Sequence, residues 1–467
     1  MTGVNVIILT AVMSHWMERS IGAYQLSSFI RSNGYSTQVI DFIHFFNKEQ
    51  LMEILKKITN DETMVISISS TFIWDGLIPG SKYNPINSML MECLTEYKKM
   101  YPNIKLVVGG SKALTYQNVD IVDHIITGYG EIAFLNLLKN GCKNKVIDAT
   151  EYLKDFNVEC INHEFTDNDI ILFNETLPIE ISRGCIFRCK FCSYPLNGKK
   201  KLDYIRDIEL IKNELVNNYK KWGITNYLIS DDTFNDNNKK LKKFHDMVIS
   251  LPFKINFVGY LRIDLLYHYR DTQLEMLENM GLKSCHFGIE SFNPKTAKFI
   301  GKGFSGDKTK EFLLYLKERW KGKINFFCSF IAGLPFETKE SCIETKKWCL
   351  ENDILFWILA LNINPNNFHK SELDINYQKY GYVLDKHRWT NPLMTSADAE
   401  EVQSKIEEMG LQTISSWNMF AILSSGIYTF EELNSTLFTE FDHTRYQNQL
   451  SKRFNEYLTK LRELYDR

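Results

Sequence analysis

ISRGCIFRCKFC, residues 181–192, follows a short apolar run and carries three cysteines in the pattern C-x3-C-x2-C. The chain has 10 cysteines in 467 residues, so this spacing is expected by chance only about half a percent of the time. Cys185, Cys189 and Cys192 therefore read as a ligand set, and thiolates bind iron–sulfur clusters or zinc. A structural zinc wants four protein ligands, yet the flanking cysteines, Cys160 and Cys285, are distant in sequence. Three thiolates on a cubane leave one iron open, and an open iron can take a substrate. Zinc with a remote fourth ligand, or three incidental buried thiols, are the alternatives.

Downstream of this motif the sequence alternates strand and helix. Strands are expected at Ile179–Ser182, Asn226–Ser230, Lys254–Tyr260, Ser284–Ile289, Lys323–Ile331 and Leu355–Asn362. Helices are expected at Ile208–Lys221, Lys240–Ser250, Thr272–Met280, Lys308–Trp320 and Lys339–Glu351. Six βα repeats fit a partial, open (β/α)6 barrel over residues 178–365 better than a closed eight-fold one. Residues 366–467 read as a mainly helical C-terminal region rich in Tyr and Trp.

Upstream, short β-branched runs again interleave with helices. Val4–Leu9, Ser36–Asp41, Thr63–Ser69, Lys105–Val108 and His124–Thr127 read as strands, and Ile21–Arg31, Glu49–Ile58 and Pro85–Met100 as helices. This predicts an α/β fold whose N-terminal domain, residues 1–141, is a doubly wound parallel sheet of the Rossmann-like or flavodoxin-like kind. Ligands of such sheets enter at the carboxyl ends of the strands. Residues 142–177 are polar and weakly periodic. They read as a linker that can add an edge strand.

Composition is that of a globular protein, with 44% hydrophobic and 24% charged residues and a net charge of -2. No global basic excess points to nucleic acid. No apolar run is long enough to span a membrane, and the first strand lacks the flanks of a signal peptide. A reducing, cytoplasmic compartment is expected, with cysteines as thiols or metal ligands. Cys93, Cys142, Cys160, Cys285, Cys328, Cys342 and Cys349 have no ligand spacing and read as packing residues. Lys199–Lys201 read as a solvated basic run or as a steering patch for an anionic substrate or reductant. No G-x-x-x-x-G-K-[ST] loop supports nucleotide hydrolysis.

C-x3-C-x2-C with an aromatic, Phe191, before the last cysteine resembles the signature of the radical S-adenosylmethionine (SAM) superfamily. The resemblance covers about residues 178–365. It implies that Cys185, Cys189 and Cys192 hold a [4Fe–4S] cluster whose open iron chelates SAM. One electron then cleaves SAM to methionine and a 5′-deoxyadenosyl radical. Later motifs fall in the family's order. In SDDTF, 230–234, Asp231 and Asp232 either accept hydrogen bonds from the SAM ammonium or cap the next helix. In GIES, 288–291, Glu290 and Ser291 resemble SAM contacts, the plainer reading of Glu290 being a surface residue at a strand end. In GYLRID, 259–264, Arg262 resembles the arginine that pairs with the SAM carboxylate, and a salt bridge with Asp264 or Asp232 competes. In GLPFET, 333–338, Gly333 shapes a turn able to bring backbone against adenine.

A doubly wound domain before such a barrel resembles the cobalamin-binding subclass. Ser69, Thr71, Gly109, Gly110 and Ser111, all at strand ends, would admit the cofactor tail, joined by Gly128–Glu131 and the helix near Gly22. The D-x-H-x-x-G element that supplies an axial histidine is missing. The corresponding loop, TAVMSHWMERS at 10–20, holds His15, which reads as a loop or interface residue. The leading expectation is a cobalamin-dependent methyltransferase. Its rivals are a cobalamin-free radical SAM cyclase, rearrangement or C–S bond-forming enzyme, and a non-catalytic zinc protein. The expected partners are a small-molecule or biosynthetic-intermediate substrate and an electron donor such as flavodoxin or ferredoxin. No residue is assigned as the catalytic group.

Overall fold

A computed structural model describes residues 3–12, 18–73, 85–155, 157–194, 204–304, 306–365, 369–386, 388–407 and 443–466. His15 and Lys199–Lys201 lie outside the described residues. The chain divides into two compact units. The first comprises Met1–Pro178, Glu209–Ile224 and His443–Arg467, and the second Ile179–Ile208 and Thr225–Asp442.

The first unit is built on six strands: β1 (Val6–Leu9), β2 (Thr37–Ile40), β3 (Val65–Ser69), β4 (Lys105–Gly109), β5 (His124–Thr127) and β6 (Val146–Asp148). Their order is β2-β1-β3-β4-β5-β6, and every pairing is parallel. Strands β1 and β2 are buried along their whole length, as strands covered on both faces must be. Chain direction across the sheet reverses between β1 and β3, and ligands of open α/β sheets enter beyond the carboxyl ends at such a point.

Residues 142–177 do more than link. They supply the edge strand β6 and three short 3-10 turns within the first unit. The helix His443–Tyr465 also belongs to this unit. Phe454 packs on Phe45 and Phe46, Tyr457 on Phe42, and Arg462 grips Glu53 with two hydrogen bonds of 3.1 and 2.7 Å. No local pattern announces these partners, because they join opposite ends of the chain.

At the centre of the unit lies Arg19, 1% exposed. It bonds Glu175 Oε1 at 2.9 Å, the carbonyls of Asp169 and Ile170 at 3.1 and 2.9 Å, and the Tyr24 hydroxyl. Tyr24 donates in turn to Asp41 at 2.7 Å, and the Asp41 amide donates to the Tyr457 hydroxyl at 2.9 Å. A buried guanidinium is tolerated only with its donors satisfied, so this network fixes the loop after β1 against β2, residues 169–175 and the C-terminal helix.

The second sheet consists of β7 (Thr176–Ile179), β8 (Asn226–Ile229), β9 (Asn256–Leu261), β10 (Leu282–Glu290), β11 (Asn325–Ala332) and β12 (Phe356–Ala360), and the second unit begins at the last residue of β7. Their order is sequential, β12-β11-β10-β9-β8-β7, and β8 to β12 pair in parallel. This is an open six-stranded β/α barrel. Phe257 of β9 packs on Phe234, which packs in turn on Phe244, and Phe287 of β10 on Trp320, so one face of the sheet is covered by helices. The region after residue 366 is helical at Glu372–Asn376 and Ser396–Glu407. It also contains an antiparallel hairpin, β13 (Val383–Asp385) and β14 (Arg388–Thr390), that the helical reading did not include. Among the described residues no helix is long and apolar enough to cross a membrane.

Replacing Arg19 by leucine leaves Glu175 and Asp41 without their cation. The variant R19L is expected to lose about 3–5 kcal/mol, read as faster amide hydrogen exchange in the helix Ile21–Ser32 and at Tyr457. Unchanged protection at both places would show that the network does not carry this stability.

Candidate functional site

The cysteine loop leaves β7 under tight constraint. Asp231, at the carboxyl end of β8, accepts the backbone N–H of Ile181 at 2.8 Å and of Ser182 at 2.9 Å, together with the Ser182 hydroxyl. Lys240 Nζ pairs with Asp231 at 3.2 Å and with Asp236 at 2.6 Å, and bonds Ser182 Oγ at 3.0 Å and Thr233 O at 3.1 Å. Burial pushes the Asp231 carboxyl up and Lys240 draws it back. A second clamp joins Arg183 to Glu180 through bonds of 3.0 and 3.1 Å, and Arg206 holds the Glu180 carbonyl at 2.6 Å. The start of the loop is thereby fixed before its first cysteine.

Cys185 is buried, and Cys189 and Cys192 are half-buried. Cys185 Sγ lies 3.6 Å from Thr233 Oγ1, and burial pushes its thiol up; a metal would replace that proton. Among the described residues no group of three or more His, Cys, Asp or Glu side chains is placed to hold one metal ion. The donor set, three thiols in one pinned loop, is of the kind that holds a thiolate-ligated cluster.

Arg262 Nη1 points at Cys189 Sγ, 3.5 Å away. Its guanidinium lies over the Phe187 ring at 3.8 Å and makes two bonds to Asp264, at 3.0 and 2.6 Å. The competing salt bridge with Asp264 is thus present, and the same arginine also touches the cysteine loop. Glu290 is buried, not at the surface. It sits at a β-bulge ending β10 with φ of 68°, a left-handed conformation that costs a non-glycine residue about 1–3 kcal/mol. Lys302 pairs with it at 3.4 Å and bonds the Gly288 carbonyl at 2.7 Å. Burial pushes the Glu290 carboxyl up, against the pull of Lys302 and Arg262.

The remaining residues divide. Asp232 is half-buried, and its carboxyl is pushed up to about 7 by burial and by neighbouring Asp231. Neither aspartate caps the following helix; Asn237 does. Asp231 is fully engaged as a clamp, so of the pair only Asp232 keeps a carboxylate for a ligand. Ser291 donates to Glu337, which also receives the Ser341 hydroxyl; Ser291 thereby ties the loop after β10 to that after β11. Gly333 has φ of 99°, and a Cβ there would meet the Trp389 ring at 2.4 Å. Trp389 packs against the bare Cα of Gly333, and Tyr382 bonds the Gly333 carbonyl at 2.6 Å. Lys240, Lys302, Thr233, Tyr382 and Trp389 were missed in sequence. Only Thr233, inside SDDTF, stood within a motif.

In the first unit, the expected strand-end residues form two interlocked turns. Ser70 donates through N and Oγ to the Gly109 carbonyl at 2.8 and 2.7 Å, and Ser111 N reaches Thr71 Oγ1 at 3.4 Å. Gly110 has φ of 94°, and a Cβ on it would lie 2.9 Å from Thr71 Oγ1 and 3.0 Å from Ser70 N. Its missing side chain therefore accommodates the turn after β3. A Cβ on Gly109 would make only an ordinary contact with the Ile126 carbonyl, at 3.9 Å, and Ser69 is half-buried. Of the other cysteines, Cys142 and Cys160 are exposed and so are not packing residues, while Cys93, Cys285, Cys328, Cys342 and Cys349 are buried.

Comparison with known proteins places this geometry. An uncharacterized methyltransferase of Pyrococcus horikoshii is 26% identical over 55% of this chain and 60% of its own length. An anaerobic magnesium-protoporphyrin IX monomethyl ester cyclase of Cereibacter sphaeroides is 24% identical over 65% of this chain and 53% of its own. The chain thus spans little more than half the length of these relatives. Among solved structures, the radical SAM methyltransferase TsrM of Kitasatospora setae superimposes with a TM-score of 0.58 at 14% identity, over 81% of this chain and 77% of that one. The cobalamin-dependent radical enzyme OxsB, with aqua-cobalamin bound, gives 0.58 at 13% identity over 98% and 72%. These likenesses establish the fold. The sequence profile described as the radical SAM superfamily matches residues 179–349. Those residues form a radical SAM domain.

Proposed function

We propose that this protein is a radical SAM enzyme that uses cobalamin to methylate a small-molecule or biosynthetic-intermediate substrate in the cytoplasm. The observation that carries the reading is the cysteine loop, pinned at its start by Asp231 and flanked by Arg262 and Glu290 at neighbouring strand ends. Cys185, Cys189 and Cys192 are the cluster ligands. When bound, the [4Fe–4S] cluster supplies the electron that splits SAM into methionine and the 5′-deoxyadenosyl radical, and cobalamin carries the methyl group. The protein contributes position and charge. Asp232 and Glu290 offer carboxylates to a cationic ligand, and Arg262, already oriented by Asp264, offers a cation beside Cys189. The left-handed backbone at Glu290 aims a charged group where an unstrained strand would not.

Cobalamin is assigned to the first unit, at Ser69, Thr71, Gly109, Gly110 and Ser111 by the switch point. The relatives named as methyltransferases and the fold shared with OxsB support this. The alternative is a cobalamin-free radical SAM cyclase, rearrangement or C–S bond-forming enzyme.

Anaerobically prepared protein is expected to hold about four irons and four sulfides per chain. Alanine at Cys185, Cys189 and Cys192 together should remove them, and retained iron would refute the ligand assignment. Glu290→Ala should weaken SAM binding at least 10-fold at unchanged iron content, whereas Asp231→Ala should lower the iron content itself. If both variants kept wild-type iron and SAM affinity, these roles would be wrong. Reconstitution with hydroxocobalamin should give one bound cofactor whose cob(II) form shows no splitting from labelled protein histidine in electron paramagnetic resonance. A protein that cleaves SAM yet takes up no cobalamin would move the assignment to the cobalamin-free class.

A further inference from the structure

The back of the cysteine loop is covered by one short helix, Pro294–Ile300, and the turn that ends it. Lys190, between the second and third cysteines, donates its amide to the Ile300 carbonyl at 3.2 Å. A Cβ on Gly301 would lie 3.9 Å from Cys189 Cα. Leu373 also donates its amide to the Lys190 carbonyl at 2.8 Å, and Arg188, within the loop, is exposed, so this face of the loop lies at the surface of the second unit.

That surface is cationic and aromatic. Lys190 Nζ lies over the Phe299 ring at 4.5 Å and near Tyr380 at 5.3 Å. Arg188, Lys295, Lys298 and Lys379 are exposed, and Lys379 stands 6.0 Å from the Tyr380 ring. Glu372 opposes them, but it is engaged by Lys190 at 3.1 Å and by the Tyr380 hydroxyl. This local excess of positive charge sits in a chain whose net charge is -2. At its edge Phe336 is 47% exposed with φ of 72°. Its carbonyl is held by Asn293 at 2.9 Å and that of Pro335 by Thr296 at 2.8 Å, while Phe299 touches its ring edge at 5.8 Å. The backbone is thus fixed so that an apolar ring faces water beside Phe299, over which Lys190 lies.

We propose that this patch is the docking surface for a small acidic electron-transfer protein. The proposal rests on the radical SAM reading above and names how the electron enters. Encounters between redox proteins are small and weak, and opposite charge around an aromatic anchor gives them speed and orientation without high affinity. For each SAM cleaved to the 5′-deoxyadenosyl radical, a docked carrier is oxidised by one electron, and that electron is consumed in breaking the carbon–sulfur bond of SAM.

The test uses the cluster-loaded full chain, a bacterial flavodoxin as the acidic probe, and the variants K295E/K298E/K379E and F336S. Wild-type protein should bind flavodoxin with an affinity that falls as salt rises. The charge-reversal variant should bind at least about 10-fold more weakly and accept electrons from reduced flavodoxin correspondingly more slowly, and F336S should weaken binding with less change in the salt dependence. All three proteins should keep the same iron content and cleave SAM equally when dithionite replaces flavodoxin. Equal flavodoxin affinity across the three, or no salt-dependent binding by the wild type, overturns the proposal. Failure to hold iron or to cleave SAM with dithionite overturns the underlying reading instead.

Discussion

Asp231 and Lys240 form the joint on which the rest of the second unit's site depends. The carboxylate takes two backbone amides and a hydroxyl from residues 181 and 182 and is paired with a buried ammonium. Buried charges are costly to leave unpaired, so the carboxyl end of β8 and the exit from β7 can sit together in few ways. Because Cys185 follows three residues after Ser182, that one joint sets where the thiol loop begins. Lys240 extends the constraint by bonding the Thr233 carbonyl, and Thr233 faces Cys185. The ligand loop therefore inherits the rigidity of a strand end.

From that fixed point the charged groups are arranged by neighbouring strands, each through a different device. Arg262 is locked by Asp264 and by stacking on Phe187. Glu290 is turned by a bulge and a left-handed backbone, with Lys302 beside it. Ser291 and Glu337 couple the next two loops, and Trp389 from the hairpin closes over Gly333 while its Nε1 bonds the Leu361 carbonyl at 2.7 Å. These supports are backbone and side-chain bonds made within the unit, so the groups are oriented before any ligand arrives, which lowers the cost of binding one.

The first unit solves a different problem. Its sheet is closed at one edge by residues 142–177 and packed by a helix from the far end of the chain, and Arg19 joins these pieces through Glu175, Asp169, Ile170, Tyr24 and Asp41. Residues that look like a linker by composition are thus part of a buried polar network. Beside it, Gly110 shows how a residue chosen for openness can serve closure, since its bare Cα lets the turn after β3 approach.

Much was legible from sequence alone, for a local reason. Alternation of apolar runs with helical periodicity marked the last five strands of the second sheet and the first five of the N-terminal one, while the first strand of the second sheet lies at Thr176–Ile179 and not at Ile179–Ser182; the cysteine spacing singled out three candidate ligands, because both signals are carried by residues near one another in the chain. The C-terminal hairpin, the division of labour between Asp231 and Asp232, the burial of Glu290, the filling of Gly333 by Trp389 and the membership of the last helix in the first unit were not legible. Most are decided by a partner outside the local pattern: Glu290 by Lys302, Gly333 by Trp389, Asp231 by Ser182 and Lys240, and the last helix by residues near the start of the chain. A carboxylate at a strand end looks the same in sequence whether it clamps a loop or faces a ligand, and only the folded chain, by placing Lys240 beside one aspartate and not the other, made that choice.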